Sequence, residues 1–129
     1  MGGAVDVMLI IMNTIKMSKT PIWTINWCCA FSAGALILAS GHKRFTMPGA
    51  CVLIHSGSCA YSGTQEQAES AKKHFDKITK QADNLFLDLT KIDSKVFRKR
   101  APFDWYLTDE EALEQGIVDK IVESFDEIY

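Results

Sequence analysis

The sequence predicts an α/β domain with a largely parallel sheet, and three observations carry that prediction. Apolar residues recur at helical spacing near the start and again along a long stretch from Ala68 to Leu89. Short apolar or β-branched runs at 22–27 and 51–54 fall between the helical stretches. Glycine, proline and capping residues mark each change of period. Strands that alternate with helices build crossover units, and crossovers leave the strands parallel.

The elements follow in order. Over residues 4–16, Val5, Met8, Leu9, Met12 and Ile15 share one side of a buried helix, which Ser18 to Pro21 ends. Residues 22–27 read as a strand. Residues 32–40 are small and apolar and suit a helix buried on all sides, closed by Gly41. Pro48-Gly49 makes a turn before a buried strand at 51–54. The Gly/Ser-rich residues 56–63 read as an extended, mobile arm. Thr64 and Gln67 have capping-box spacing, and a long helix follows with Ala68, Ala71, Phe75, Ile78, Ala82, Leu85 and Leu89 as its stripe. Lys72, Lys73, Asp76, Lys77 and Lys80 lie off that stripe. Residues 91–103 read as a charged, irregular connection. Thr108 and Glu111 repeat the capping box, Gly116 closes a short helix, and residues 117–122 supply a closing strand.

Composition narrows the function classes. The 129 residues make one domain or part of one, with 47% hydrophobic residues to build a core. A net charge of −2 gives no general attraction for nucleic acid, so no nucleic-acid partner is expected. The cluster Arg98-Lys99-Arg100 is short and without interleaved aromatics, so it reads as a solvated or subunit-contact loop. Cys28, Cys29, Cys51 and Cys59 form no CxxC pair and no zinc-ligand spacing. They read as core-type thiols of a reducing compartment, and no metal site is expected. Asp6 stands where a secretory leader would be basic and where myristoylation would need Ser or Thr. No apolar run approaches the ~18 residues of a membrane span. A cytoplasmic chain without membrane contact is the expectation. Gly2-Gly3 runs into a helix with no leading strand, so a fragment or a shortened member of a longer class is expected.

Three residues stand out chemically. Ser32 follows a strand and opens a helix, with small neighbours Ala30, Ala33, Gly34 and Ala35. A hydroxyl there meets unpaired backbone N–H groups, though a plain N-cap serine would look the same. His55 ends a buried apolar run, where sites on parallel sheets gather, though a core histidine would also fit. Asp104 lies between Phe103 and Trp105, where a carboxylate is readily part-buried; a turn aspartate is the plainer reading. A serine becomes a nucleophile when a histidine takes its proton and a carboxylate orients that histidine. His42 in a polar turn and His74 on the long helix are weaker candidates, as are Asp109 at a helix start and Asp93 in a surface turn. Acyl transfer also needs N–H donors where oxyanion charge develops. Gly2-Gly3 and the N–H of Ala33 are candidates for that work.

Taken together these segments resemble ClpP, the family of Clp protease proteolytic subunits, over nearly the whole chain. Gly2-Gly3 is similar to a glycine pair that opens a helix and supplies one oxyanion donor in that family. Ala30-Phe31-Ser32-Ala33-Gly34-Ala35 resembles its nucleophile segment with two residues changed. Lys43-Arg44-Phe45 with Met47-Pro48, Leu53-Ile54-His55, Asp104-Trp105-Tyr106-Leu107-Thr108 and Gly116-Ile117-Val118-Asp119 resemble further family segments in the same order. Residues 57–63 and the long helix resemble the handle where two rings meet. The chain departs from the family at Met1 in place of Ser-Pro, at Phe103 in place of arginine, and at Ser56-Gly57 in place of Gln-Pro.

The resemblance implies the ClpP/crotonase-like fold: stacked βα units and a protruding strand-helix handle, here lacking the first units. It implies a serine endopeptidase with Ser32, His55 and Asp104 as the triad and Gly3 and Ala33 as oxyanion donors. It implies no cofactor, a polypeptide substrate, a homo-oligomeric ring and an ATP-dependent unfoldase partner. A crotonase-like acyl-CoA enzyme and a catalytically inactive ring subunit remain open.

Overall fold

A computed structural model describes residues 1–129. Its elements are α1 (Val5–Met17), β1 (Trp23–Asn26), β2 (Cys29–Phe31), α2 (Ala33–Ala39), β3 (Lys43–Thr46), β4 (Cys51–Ile54), α3 (Gln65–Leu89), α4 (Ser94–Arg100), β5 (Trp105–Thr108), α5 (Asp109–Glu114) and β6 (Lys120–Ile121), with 3-10 turns at Ala101–Phe103 and Phe125–Glu127. The strands form two three-stranded sheets, ordered β1-β3-β6 and β2-β4-β5. Three of the four strand pairs are parallel; β4 and β5 run antiparallel. The expected α/β class with parallel-rich sheets therefore holds.

Several elements differ from those expected. The expected strand at 22–27 is β1, and a second strand, β2, follows after two residues. The chain changes sheets there. Buried Asn26 ties the sheets together: its Nδ2 donates to Cys51 O at 3.1 Å, while Met47 N donates to Asn26 O. The connection at 91–103 is not irregular. Asp93 Oδ1 accepts from the N–H groups of Lys95 and Val96 and caps α4, whose exposed Arg98, Lys99 and Arg100 occupy the last turn. Cations suit the negative end of a helix. Both expected capping boxes form, on α3 and α5.

The largest core packs Ala35, Leu38 and Ala39 of α2 against Val52, Ile54, Trp105 and Leu107 of the β2-β4-β5 sheet, with Phe86 and Phe97 behind. Small residues on α2 let the helix lie close to the strands. α1 is buried only through Met8, Met12 and Ile15; Val7 and Ile10 face outward, so the helix is covered on one side and not all round. α3 is fully buried only at Ala82 and Phe86; of its expected stripe Ala68, Phe75, Ile78 and Leu85 are half-buried, while Ala71 and Leu89 are exposed. Residues 56–63 form no strand with the rest of the chain, so the handle is a helix with an extended arm. The cysteines are not core thiols. Cys28 and Cys59 are exposed, and Cys29 and Cys51 are half-buried at neighbouring positions of β2 and β4.

Arg44 ties β3 to the end of α3 and to the segment after α5. Its guanidinium meets Asp119 and also donates to the carbonyls of Leu89 (2.7 Å) and Gly116 (2.9 Å). Burial alone would push the Asp119 carboxyl up, but side-chain and backbone hydrogen bonds from Arg44 hold it below its ordinary 3.8. A carboxyl depressed in the folded state contributes stability above its unfolded value and loses it as pH falls through the folded value. Arg44→Ala is expected to lower unfolding stability by about 1.5–3 kcal/mol at pH 7. The deficit should shrink below pH 4 as Asp119 protonates. Urea titrations of both chains at pH 7 and pH 3 measure this.

Candidate active site

One sheet delivers the three singled-out side chains to one edge. β2 and β4 are parallel with Phe31 beside Leu53, and Ser32 N donates to Leu53 O at 2.8 Å. Ser32 and His55 therefore leave neighbouring strands at the same C-terminal end. β5 runs the other way, with Trp105 opposite Ile54. One step outward, the register puts Asp104 opposite His55. Ser56 N donates to Ala101 O at 2.9 Å and pins the loop after His55 to the turn before Asp104. His55 Nδ1 lies 3.7 Å from Asp104 Oδ1, in ion-pair range but longer than a hydrogen bond.

The backbone is unusual at two of these three positions. Ser32 (φ 55°) and Asp104 (φ 53°) are the non-glycine residues of the chain with positive φ. At Ser32, φ 55° and ψ −121° make a sharp turn from β2 into α2. Such a turn projects a side chain away from both elements. Ser32 occupies the N-cap position, yet its hydroxyl makes no capping bond. The plain N-cap role is therefore not the one it fills. Strained residues cluster at functional sites because the surrounding structure must hold them there.

Ser32, Ala33, His55 and Gly3 line one cleft of about 250 Å³. Ala33 stands in the first turn of α2, where N–H groups have no intrahelical acceptor. Asp104 differs from its expectation. Its side chain is 62% exposed, not part-buried. The alternation of β5 turns Trp105 inward, while the left-handed turn at Asp104 carries its carboxylate out beside exposed Phe103. His42 is a structural histidine: its Nδ1 accepts from Ile22 N at 3.0 Å. Burial, then the nearby Cys29 and Cys28 thiols, push the Cys51 thiol up, which disfavours its reactive thiolate.

Gly2, and not the expected donor Gly3, is the glycine packed against the serine. A Cβ built on Gly2 would stand 2.7 Å from Ser32 Cβ and 3.1 Å from Ser32 Oγ. A Cβ on Gly3 meets nothing within 4 Å. Gly2 is thus the residue that lets the leading segment lie against the serine. Gly2→Ala is expected to displace Ser32 and lower any Ser32-dependent activity roughly 100-fold. Gly3→Ala should cost clearly less, and comparing the two variants' labelling rates with a serine-reactive probe measures the difference.

The family model described as Clp protease matches residues 1–125. The chain belongs to the Clp protease family. The resemblance read from the sequence is thereby borne out at family level. The chain is also similar to ATP-dependent Clp protease proteolytic subunit 2 of Treponema denticola, with 30% identity over 125 residues. The match covers 95% of this chain and 62% of that relative, so the chain spans about three-fifths of the relative's length. This Clp protease chain has no helix long and apolar enough to cross a membrane. The cleft also contains residues that the sequence does not mark as part of a site. Phe75, Asp76, Thr79 and Asp83 of α3 form one wall of it.

Proposed function

We propose that residues 1–129 act as one serine endopeptidase domain, as family membership supports. The observation that carries the reading is the order β2-β4-β5, whose register aligns Ser32, His55 and Asp104 along one sheet edge. Ser32 Oγ attacks the substrate's peptide carbonyl carbon while His55 takes the hydroxyl proton. The tetrahedral oxyanion rests on the N–H groups of Gly3 and Ala33. The C–N bond then breaks, His55 gives its proton to the leaving amine, and an acyl-serine remains. Water, deprotonated by His55, releases the acid and restores the hydroxyl. Asp104 orients His55 and stabilises its charged form. This chemistry uses no metal or organic cofactor.

The substrates in this reading are unfolded or short polypeptides. The incompletely buried stripe of α3 and the exposed arm suit a homo-oligomeric ring, and an ATP-dependent unfoldase would feed it. Covalent labelling by a fluorophosphonate, with mapping of the adduct, tests the reading; a protein that stays unlabelled overturns it. A second reading, a ring subunit without activity, has one observation in its favour: the 3.7 Å gap between His55 and Asp104. Labelling at Ser32 excludes it.

A further inference from the structure

Asp83 is a charge in the cleft that the proposed chemistry leaves unused and no ion pair engages. It follows buried Ala82 on α3, and Asp76 and Thr79 precede it at helical steps on the same face, so one side of α3 walls the cleft that Ser32 and His55 line. The two carboxylates there differ. Asp76 is well exposed and already paired with Lys72 Nζ at 2.6 Å. Asp83 is half-buried and takes part in none of the chain's four ion pairs. Burial alone pushes its carboxyl up. A carboxylate drawn out of water without a cation is a cost, which a bound cation would offset.

The remaining walls indicate the form of that cation. Val5, Met8, Leu36 and Phe75 give the cleft apolar sides. About 250 Å³ is below the roughly 300–1,000 Å³ of small-molecule sites, closer to one side chain than to a cofactor. A lysine or arginine has both features required, an apolar stem and a charged head. We propose that Asp83 is a specificity-determining residue that selects peptides with lysine or arginine immediately before the scissile bond. This inference rests on the serine-peptidase reading.

The test uses three peptidyl phosphonates that differ only in that residue (lysine, leucine or glutamate) and phosphonylate an activated serine without requiring turnover. A plain fluorophosphonate is run in parallel. The wild-type chain should react with the lysine probe at least tenfold faster than with the leucine probe. The glutamate probe should be slowest. Asp83→Asn, which preserves size, should lower the lysine-to-leucine ratio by about 10- to 100-fold. Asp83→Leu should invert it. A wild-type chain that labels at Ser32 but prefers leucine overturns the inference and leaves the peptidase reading standing. So does a ratio that Asp83→Asn does not move. A wild-type chain inert to the plain fluorophosphonate overturns the peptidase reading, and the inference with it.

Discussion

Ser32→Ala is expected to abolish fluorophosphonate labelling and to lower peptide hydrolysis about 10⁶-fold, as losing the nucleophile of such a device does. The fold should survive. Replacing an N-cap serine by alanine ordinarily costs about 0.5–2 kcal/mol because a capping bond is lost. Here the hydroxyl makes no such bond, so that loss does not arise. The positive φ is equally awkward for serine and alanine, so the backbone strain is unchanged. Labelling and thermal unfolding of the same preparation separate the two effects. Undiminished labelling would remove Ser32 from the mechanism. A large fall in the unfolding midpoint would instead make it a structural residue.

Asp104→Asn is expected to reduce kcat about 10⁴-fold with little change in stability. An amide matches the carboxylate in size but neither stabilises a charged imidazole nor favours the tautomer that leaves the other ring nitrogen free. Stability should hold because the side chain is exposed and its one ion-pair partner, His55 Nδ1, is 3.7 Å away. Exposed pairs of this kind contribute little to folding. The residue's value would therefore appear in the kinetics alone. A loss smaller than tenfold, measured with a peptide substrate, would show that Asp104 does not orient His55.

Ser32 and His55 were legible because each follows a short apolar strand, and strand ends are where parallel sheets place their chemistry. Their convergence was not legible. It depends on the β2-β4 register and on the antiparallel β5, which the sequence reading did not resolve. β5 was hidden because Trp105-Tyr106-Leu107-Thr108 is brief and its alternation covers only four residues. The same alternation explains why Asp104 is more open than its aromatic neighbours implied. α4 was hidden by its charge: Phe97 is its one buried residue, too few for a periodic signal. The long helix was plain, but its pattern did not reveal that Ala82 alone of the stripe would be fully buried. Asp83 carried no signal at all. Its importance comes from what α1, α2 and the end of β4 bring alongside it.

Under the proposed mechanism, the left-handed backbone at Ser32 and Asp104 sets stability against function. Glycine would suit the backbone at both positions better, and each relaxed residue would recover part of the ~1–3 kcal/mol such conformations cost. Selection of variants for heat resistance alone would favour glycine at both positions and discard the hydroxyl and the carboxylate. Thermostabilised forms of this chain should therefore be sought elsewhere on the surface, with both positions held fixed.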